Sequence, residues 1–247
     1  MNRNRQVDYA NLTVLLFVHI HLKGTMTMTI KAIIFDFDGT LMDTETCAYD
    51  AICKVYKHYG QELALEKWAI CIGTVNSPFD PYDHLQELAG RPLDRDQLKK
   101  HFDQLHDEEL LSATLRAGVL EILDEAKRLG LRIALASSSD RAWIDRHLKE
   151  QGIADYFEVI CTRDDVLRAK PDPALYLLAL ERLGLSADEA VAVEDSLNGL
   201  TAAKLAGLRA IAVPNPVTAQ MNLSQADVML DGFEGIVLEE LLRKLAK

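Results

Sequence analysis

Four short stretches carry residues whose types and spacing suit chemistry. The first is Asp36-Phe37-Asp38-Gly39-Thr40-Leu41, directly after the apolar run Ile30–Asp36. Two carboxylates at i and i+2 can hold a divalent cation, and one of them can act as a nucleophile. Gly39 permits a tight turn that brings backbone N–H groups close to an anion. An ordinary acidic turn is the plain alternative. The second is Ser137-Ser138-Ser139-Asp140, before a helical segment, where hydroxyls and amides suit a phosphate or another anion. Taken alone, helix capping by Ser139 or Asp140 is the better account of it. The third is Ala169-Lys170-Pro171-Asp172-Pro173, a lysine whose chain is held rigid by the two prolines that follow it, or else a solvated lysine in a turn. The fourth is Val193-Glu194-Asp195-Ser196. Its adjacent acids can complete a hard-metal site, or Asp195 or Ser196 can cap the next helix.

The elements that must position these residues alternate regularly. Ile30–Asp36, Leu131–Ala136, Phe157–Cys161, Ala190–Val193, Arg209–Val213 and Val228–Leu230 read as strands. Between and after them, Gly118–Leu129, Asp140–Gln151, Pro173–Leu183, Leu197–Ala206 and Phe233–Leu245 read as helices, most of them stopped by glycine. Repeated strand–helix units predict an α/β fold with a doubly wound parallel sheet. Ligands in such sheets sit at the carboxyl ends of the strands, and the acidic and serine motifs fall there. The second strand comes roughly ninety residues after the first. The stretch between reads as helices over Glu45–Tyr59, Leu63–Ile70, Pro81–Leu88 and Asp94–Leu115. The expected organisation is therefore a core of residues 29–43 and 116–247 with a small helical cap, 44–115, inserted after the first strand.

Composition bounds the class. The chain has 247 residues, is 49% hydrophobic and 26% charged, and carries a net charge of −11. That balance fits a globular protein with a real core and argues against a nucleic-acid partner bound through a broad basic face. Four scattered cysteines without a CxxC pair argue against a disulfide framework or structural zinc, and for a reducing, cytoplasmic setting. No apolar run reaches the ~18–20 residues that span a bilayer. Residues 1–30 differ from the rest, with Arg3, Arg5 and Lys23 against Asp8, a net +2 that leaves −13 elsewhere. Residues 1–28 are expected to be an extension created by a start assigned too far upstream of Met26 or Met28. A genuine N-terminal extension is the alternative.

Taken together, the order DxD, Ser, Lys, Glu-Asp over residues 30–247 resembles the four motifs of the haloacid dehalogenase-like (HAD) superfamily. The helical insert resembles that family's cap in its β-phosphoglucomutase-like group. The resemblance implies that Asp36 attacks phosphorus and forms an aspartyl phosphate. Asp38 would protonate the leaving oxygen and later take a proton from water. Mg²⁺ would be bound by Asp36, the Asp38 backbone carbonyl and Asp195, with Glu194 in support. Ser137, with Ser138 beside it, would bind phosphoryl oxygens, and Lys170 would offset charge.

Dehalogenases of the superfamily lack an acid two positions after the nucleophile, so Asp38 favours phosphate esters. A β-phosphoglucomutase, the alternative, carries a histidine twelve positions after the nucleophile, where this chain has Ala48. Its basic cap loop corresponds to Cys71–Asn76, which keeps Gly73 but has no cation. The expectation is a Mg²⁺-dependent phosphatase of a small phosphorylated metabolite, a monomer without nucleic-acid or membrane partners. Gly73, Thr74 and Asn76 are its expected specificity loop. Trp68, Phe79 and Tyr82 are expected in the cap interior. His58, His84, His101, His106 and His147 are expected at the surface, and the acidic run Asp103–Glu109 on a solvated face.

Overall fold

The computed structural model describes residues 30–73 and 77–245. Residues 1–28, Thr74 and Asn76, on which expectations were placed above, lie outside the described residues. Six strands form one parallel sheet: β1 (Ala32–Phe35), β2 (Arg132–Ala136), β3 (Val159–Cys161), β4 (Ala190–Glu194), β5 (Arg209–Ala212) and β6 (Val228–Met229). The spatial order is β3-β2-β1-β4-β5-β6. Ala32 pairs with Arg132 on one side and Ala190 on the other, so β1 is central and both its neighbours run parallel to it.

The two faces of the sheet differ in side-chain size. Ile33, Phe35, Ile133, Leu135, Val191 and Val193 pack against α5 (Val119–Arg128), α6 (Arg141–Glu150) and α9 (Leu238–Leu245). On the other face, Ala32, Ala134, Ala136, Ala190, Ala192, Ala210 and Ala212 meet α7 (Ala174–Leu183) and α8 (Leu197–Leu205). Alternating side chains on a strand sort large residues to one layer and alanines to the other. The alanine face lets α7 and α8 lie close to the strands, which later brings Tyr176 within reach of a strand-end acid.

Helices α1 (Thr44–His58), α2 (Leu65–Trp68), α3 (Pro81–Ala89) and α4 (Arg95–Leu110) come between β1 and β2 and share a separate apolar cluster. It contains Ile52, Val55, Tyr56, Leu63, Trp68, Leu85 and Leu98, with Phe79 and Tyr82 packed on it. Asp43, Asp80 and Asp94 cap α1, α3 and α4.

Some boundaries differ from the sequence expectation. α4 stops at Leu110 rather than Leu115, because the chain must return to the sheet. Leu115 instead pairs with Met42, and the Arg116 N–H donates to the Leu41 carbonyl at 2.9 Å. α9 starts at Leu238, after a turn, and β3 is shorter than its apolar run. No helix among the described residues is long and apolar enough to cross a membrane.

Candidate active site

β1 ends at Phe35, and the chain turns sharply through Asp36–Leu41. Gly39 has φ +81, and a Cβ there would lie 2.3 Å from Asp195 Oδ2. Only glycine can make this approach of two strand-end loops without strain. Arg116 secures the turn from below. Its guanidinium donates to the carbonyls of Gly39 (2.7 Å), Val213 (2.7 Å) and Pro214 (2.7 Å). Asn215 Nδ2 donates to Asp195 Oδ2 at 2.7 Å and so fixes that carboxylate.

The expected lysine is not solvated. Lys170 is 2% exposed and its ammonium lies between Asp36, to which it donates, and Glu194 Oε1 at 2.6 Å. Tyr176, on the alanine face of the sheet, also donates to Glu194 Oε1. Gly199 leaves room for that carboxylate, since a Cβ there would fall 1.9 Å from Glu194 Oε2. Burial works against the Lys170 charge, but Asp36 and Glu194 outweigh it and the lysine pKa is raised. Burial pushes the Asp36 carboxyl up to about 7 despite Lys170, and pushes Asp195 well above the usual carboxylate range.

Asp36, Glu194 and Asp195 offer ligand oxygens within 4.8 Å of one another. With all three carboxyls ionised, the one ammonium would leave two negative charges unbalanced in a buried place, which is why burial raises Asp36 and Asp195. The donors are all hard oxygens, the set that Mg²⁺ prefers. The residues present therefore fit a divalent cation.

Asp38 is held differently. Its Oδ1 accepts from Thr44 Oγ1 and Trp143 Nε1, each at 2.9 Å. Its Oδ2 accepts from Ser139 Oγ at 2.6 Å and Ser137 Oγ at 3.4 Å. Ser138 Oγ turns the other way and donates to the Gly73 carbonyl at 3.3 Å. Each capping alternative holds for part of its motif. Asp140 caps α6 by accepting from the Trp143 N–H, and Ser196 caps α8 by accepting from the Gly199 N–H. Ser137, Ser139 and Asp195 are not used as caps.

These residues open onto one cavity of 340 Å³. Its lining includes Asp36, Asp38, Ser137, Ser138, Lys170 and Asp195, and also Gly73 from the segment between α2 and α3. Gly73 has φ +71 and packs on Ser196, whose Oγ would lie 2.6 Å from a Cβ. Glu194 is fully buried behind the lining.

Sequence reasoning missed Glu45, Trp143 and His106, which also line the cavity. Glu45 keeps partial exposure at the cavity wall, yet burial, with Asp38 and Asp36 nearby, pushes its carboxyl up to about 8. Its position in the first turn after the acidic loop was the available signal. Trp143 and His106 gave none, since each sits in an unremarkable amphipathic helix.

Of the histidines expected at the surface, His58 is exposed, while His84 and His101 are half-buried. Two more depart from that expectation at the cavity tryptophan. His147 is 2% exposed, and its ring lies tilted against Trp143 with centroids 4.1 Å apart. His106 is half-buried and stacked on that indole, ring centroids 5.8 Å apart. Both are drawn inward by the cavity-facing tryptophan. Trp68 is buried in the helical cluster, with Phe79 and Tyr82 against it, as expected.

Residues 33–213 match the family described as haloacid dehalogenase-like hydrolase. A Bacillus subtilis (strain 168) protein named "Putative phosphatase YhcW" is 43% identical over 216 residues, covering 87% of this chain and 98% of that one. A Thermotoga maritima "Phosphorylated carbohydrates phosphatase" is 32% identical over 191 residues, covering 73% and 83%. The crystal structure of CbbY from Rhodobacter sphaeroides in complex with phosphate is 31% identical, with a TM-score of 0.63, and covers 83% of this chain and 95% of that one. The chain belongs to the haloacid dehalogenase-like hydrolases.

Proposed function

We propose that this protein is a Mg²⁺-dependent phosphatase of small phosphorylated metabolites, with phosphorylated carbohydrates as the favoured class. The observation that carries the reading is the Asp36 carboxylate, buried against Lys170 at the base of a cavity that Asp38 also faces. A carboxylate nucleophile and a nearby acid are what stepwise phosphoester hydrolysis requires. The Thermotoga maritima relative carries the carbohydrate class in its name.

In this reading an Asp36 oxygen attacks phosphorus, and Asp38 gives a proton to the departing oxygen. Asp38 then takes a proton from the water that hydrolyses the aspartyl phosphate. Ser137 and Lys170 hold and neutralise the phosphoryl oxygens, and Ser138 supports them from the roof side. Mg²⁺ would be held by Asp36, the Asp38 carbonyl and Asp195, with Glu194 beside them, and would supply positive charge to the phosphoryl group. Residues 44–115 act as a cap over a core of 29–43 and 116–247, with Gly73, Thr74 and Asn76 as its specificity loop.

Ala48 lines the cavity at the position where a mutase would need a histidine. Among the described lining residues the cations are Lys170 and Arg163, and Arg163 is paired with Asp140 at 2.8 Å. Both belong to the sheet-bearing part. This favours hydrolysis over reorientation of a bisphosphate.

The test is a panel of phosphorylated sugars and p-nitrophenyl phosphate assayed with MgCl₂, together with a coupled assay on β-glucose 1-phosphate. Phosphate release with Mg²⁺ and no glucose 6-phosphate is expected. Net formation of glucose 6-phosphate, or no release from any ester, overturns the reading.

A further inference from the structure

The loop after β5 runs through Val213-Pro214-Asn215-Pro216-Val217-Thr218. Asn215 is 3% exposed, and every bonding position of its side-chain amide is filled. Oδ1 accepts from the backbone N–H groups of Val217 at 2.9 Å and Thr218 at 3.0 Å. Nδ2 donates to Asp195 Oδ2 at 2.7 Å and to the Gly39 carbonyl at 3.3 Å. A primary amide has two donor hydrogens and two acceptor lone pairs, so none is left over. Turning the amide over would set its NH₂ against two N–H groups and its oxygen against a carboxylate. One orientation is therefore allowed, and it aims a donor at Asp195.

The loop is held from two sides. On the core side, Arg116 donates to the Val213 and Pro214 carbonyls, and the Asn215 N–H donates to Thr218 Oγ1 at 3.0 Å. On the other side, Val217 is 2% exposed and packs into the apolar cluster of the α1–α4 segment, with Ile52, Val55 and Trp68 among its members. Val217 thus seats the loop in the helical segment through its side chain and holds Asn215 Oδ1 through its N–H. Asp195 has little else to orient it. Among the described residues its Oδ1 accepts only from Thr40 Oγ1, at 3.4 Å. Torsion about a carboxylate's terminal bond is soft, so loss of the Asn215 donor would free the group to turn.

We propose that Asn215 is a positioning residue that presets Asp195 for the divalent cation, and that Val217 ties this preset to the seating of the α1–α4 segment on the core. It rests on Asp195 being a Mg²⁺ ligand of the proposed phosphatase. Groups that orient a ligating carboxylate govern metal affinity without touching the metal. The tie is reciprocal. If a seated helical segment favours the cation, the cation favours the seated segment by the same factor. Neither Asn215 nor Val217 touches the phosphoryl group or exchanges a proton in this role.

The test measures the Mg²⁺ dissociation constant by isothermal titration calorimetry on EDTA-stripped, dialysed protein without substrate. N215S keeps an acceptor for the turn and removes the donors to Asp195 and Gly39. It is expected to raise Kd about tenfold. V217A keeps every polar bond of the loop and trims only its apolar seat, and is expected to raise Kd about threefold. Thermal unfolding verifies that each variant is folded at the titration temperature, and if N215S is not, V217A carries the test. A purely structural role would lower Tm and leave the Kd of the folded protein unchanged. An N215S Kd within about twofold of wild type overturns the positioning role, and a V217A Kd within about twofold overturns the tie to the helical segment. Wild type that binds no Mg²⁺ overturns the metal reading and this inference with it, whereas wild type that binds beside unchanged variants overturns the inference alone.

Discussion

At the floor of the cavity Asp36 is buried against an ammonium that also serves Glu194, and Glu194 is in turn held by Tyr176 and the space at Gly199. Among the described residues, the roof stretch Ile72–Gly73 reaches the same cavity through two polar ties. Ser138 Oγ donates to the Gly73 carbonyl, and Asn198 Nδ2 donates to the Ile72 carbonyl at 2.6 Å. Both contacts are made to roof backbone. The floor relies on side-chain charge in low dielectric, where each group depends on its neighbours. The Ile72–Gly73 stretch of the roof relies on backbone, which tolerates changes of side chain, whereas Thr44 of the same segment reaches Asp38 through its hydroxyl. A conserved chemistry beneath a variable selection of substrate can be built from such a pair.

The sharpest way to break this contrast is Asp36→Asn. It keeps size and shape at the floor and should reduce turnover by about 10⁴-fold or more with the fold intact by circular dichroism. Full activity in that variant would sink the nucleophile assignment. Lys170→Met should cost about 3–5 kcal/mol in metal-free unfolding experiments, because Asp36 and Glu194 lose their shared countercharge. Gly199→Ala should cost about 1–3 kcal/mol, since its Cβ would occupy the place of the Glu194 carboxylate. A denaturation midpoint equal to wild type would show that the floor yields more easily than its packing implies.

Metal removal and pH test the charge imbalance directly. Asp36, ordinarily at 3.8, is raised to about 7 in the fold. The folded state then binds more protons than the unfolded chain between those values. Stability of the metal-free protein should therefore fall as pH rises from 4 through 7. Asp195 acts in the same direction. With EDTA the Tm should drop across this range, and saturating MgCl₂ should flatten the profile. A Tm that rises with pH in EDTA would contradict the sign. The smallest effect belongs to the roof. Asn198→Ala should raise KM about two- to fivefold, leave kcat within about twofold, and cost about 1 kcal/mol or less in stability. A kcat loss comparable to that of Asp36→Asn would make the roof part of the chemical machinery.

Much of this arrangement was legible in the order of residues. Runs such as Ile33-Ile34-Phe35 and Ala190–Val193, short, apolar and bounded by turn signals, read as buried parallel strands. Motifs that follow such runs must meet at one edge of the sheet. The loss of α4 at Leu110 was not legible, because its end is set by pairing of Leu115 with Met42, far away in sequence. The burial of His147 was hidden for a similar reason. Its helix has polar residues around it, and only contact with Trp143 and Phe37 turns it inward.

By itself the sequence determined the parallel α/β core, the identity of Asp36, Asp38, Lys170, Glu194 and Asp195, and their convergence, because hydrophobic periodicity and strand ends are local properties. Tertiary structure alone decided which partners each acid has. It gave Lys170 two carboxylates rather than one, left Ser138 to the roof while Ser137 and Ser139 took Asp38, and brought Trp143 and His106 to the cavity. Those choices depend on distances between groups separated by tens to more than a hundred residues, and no local pattern encodes them.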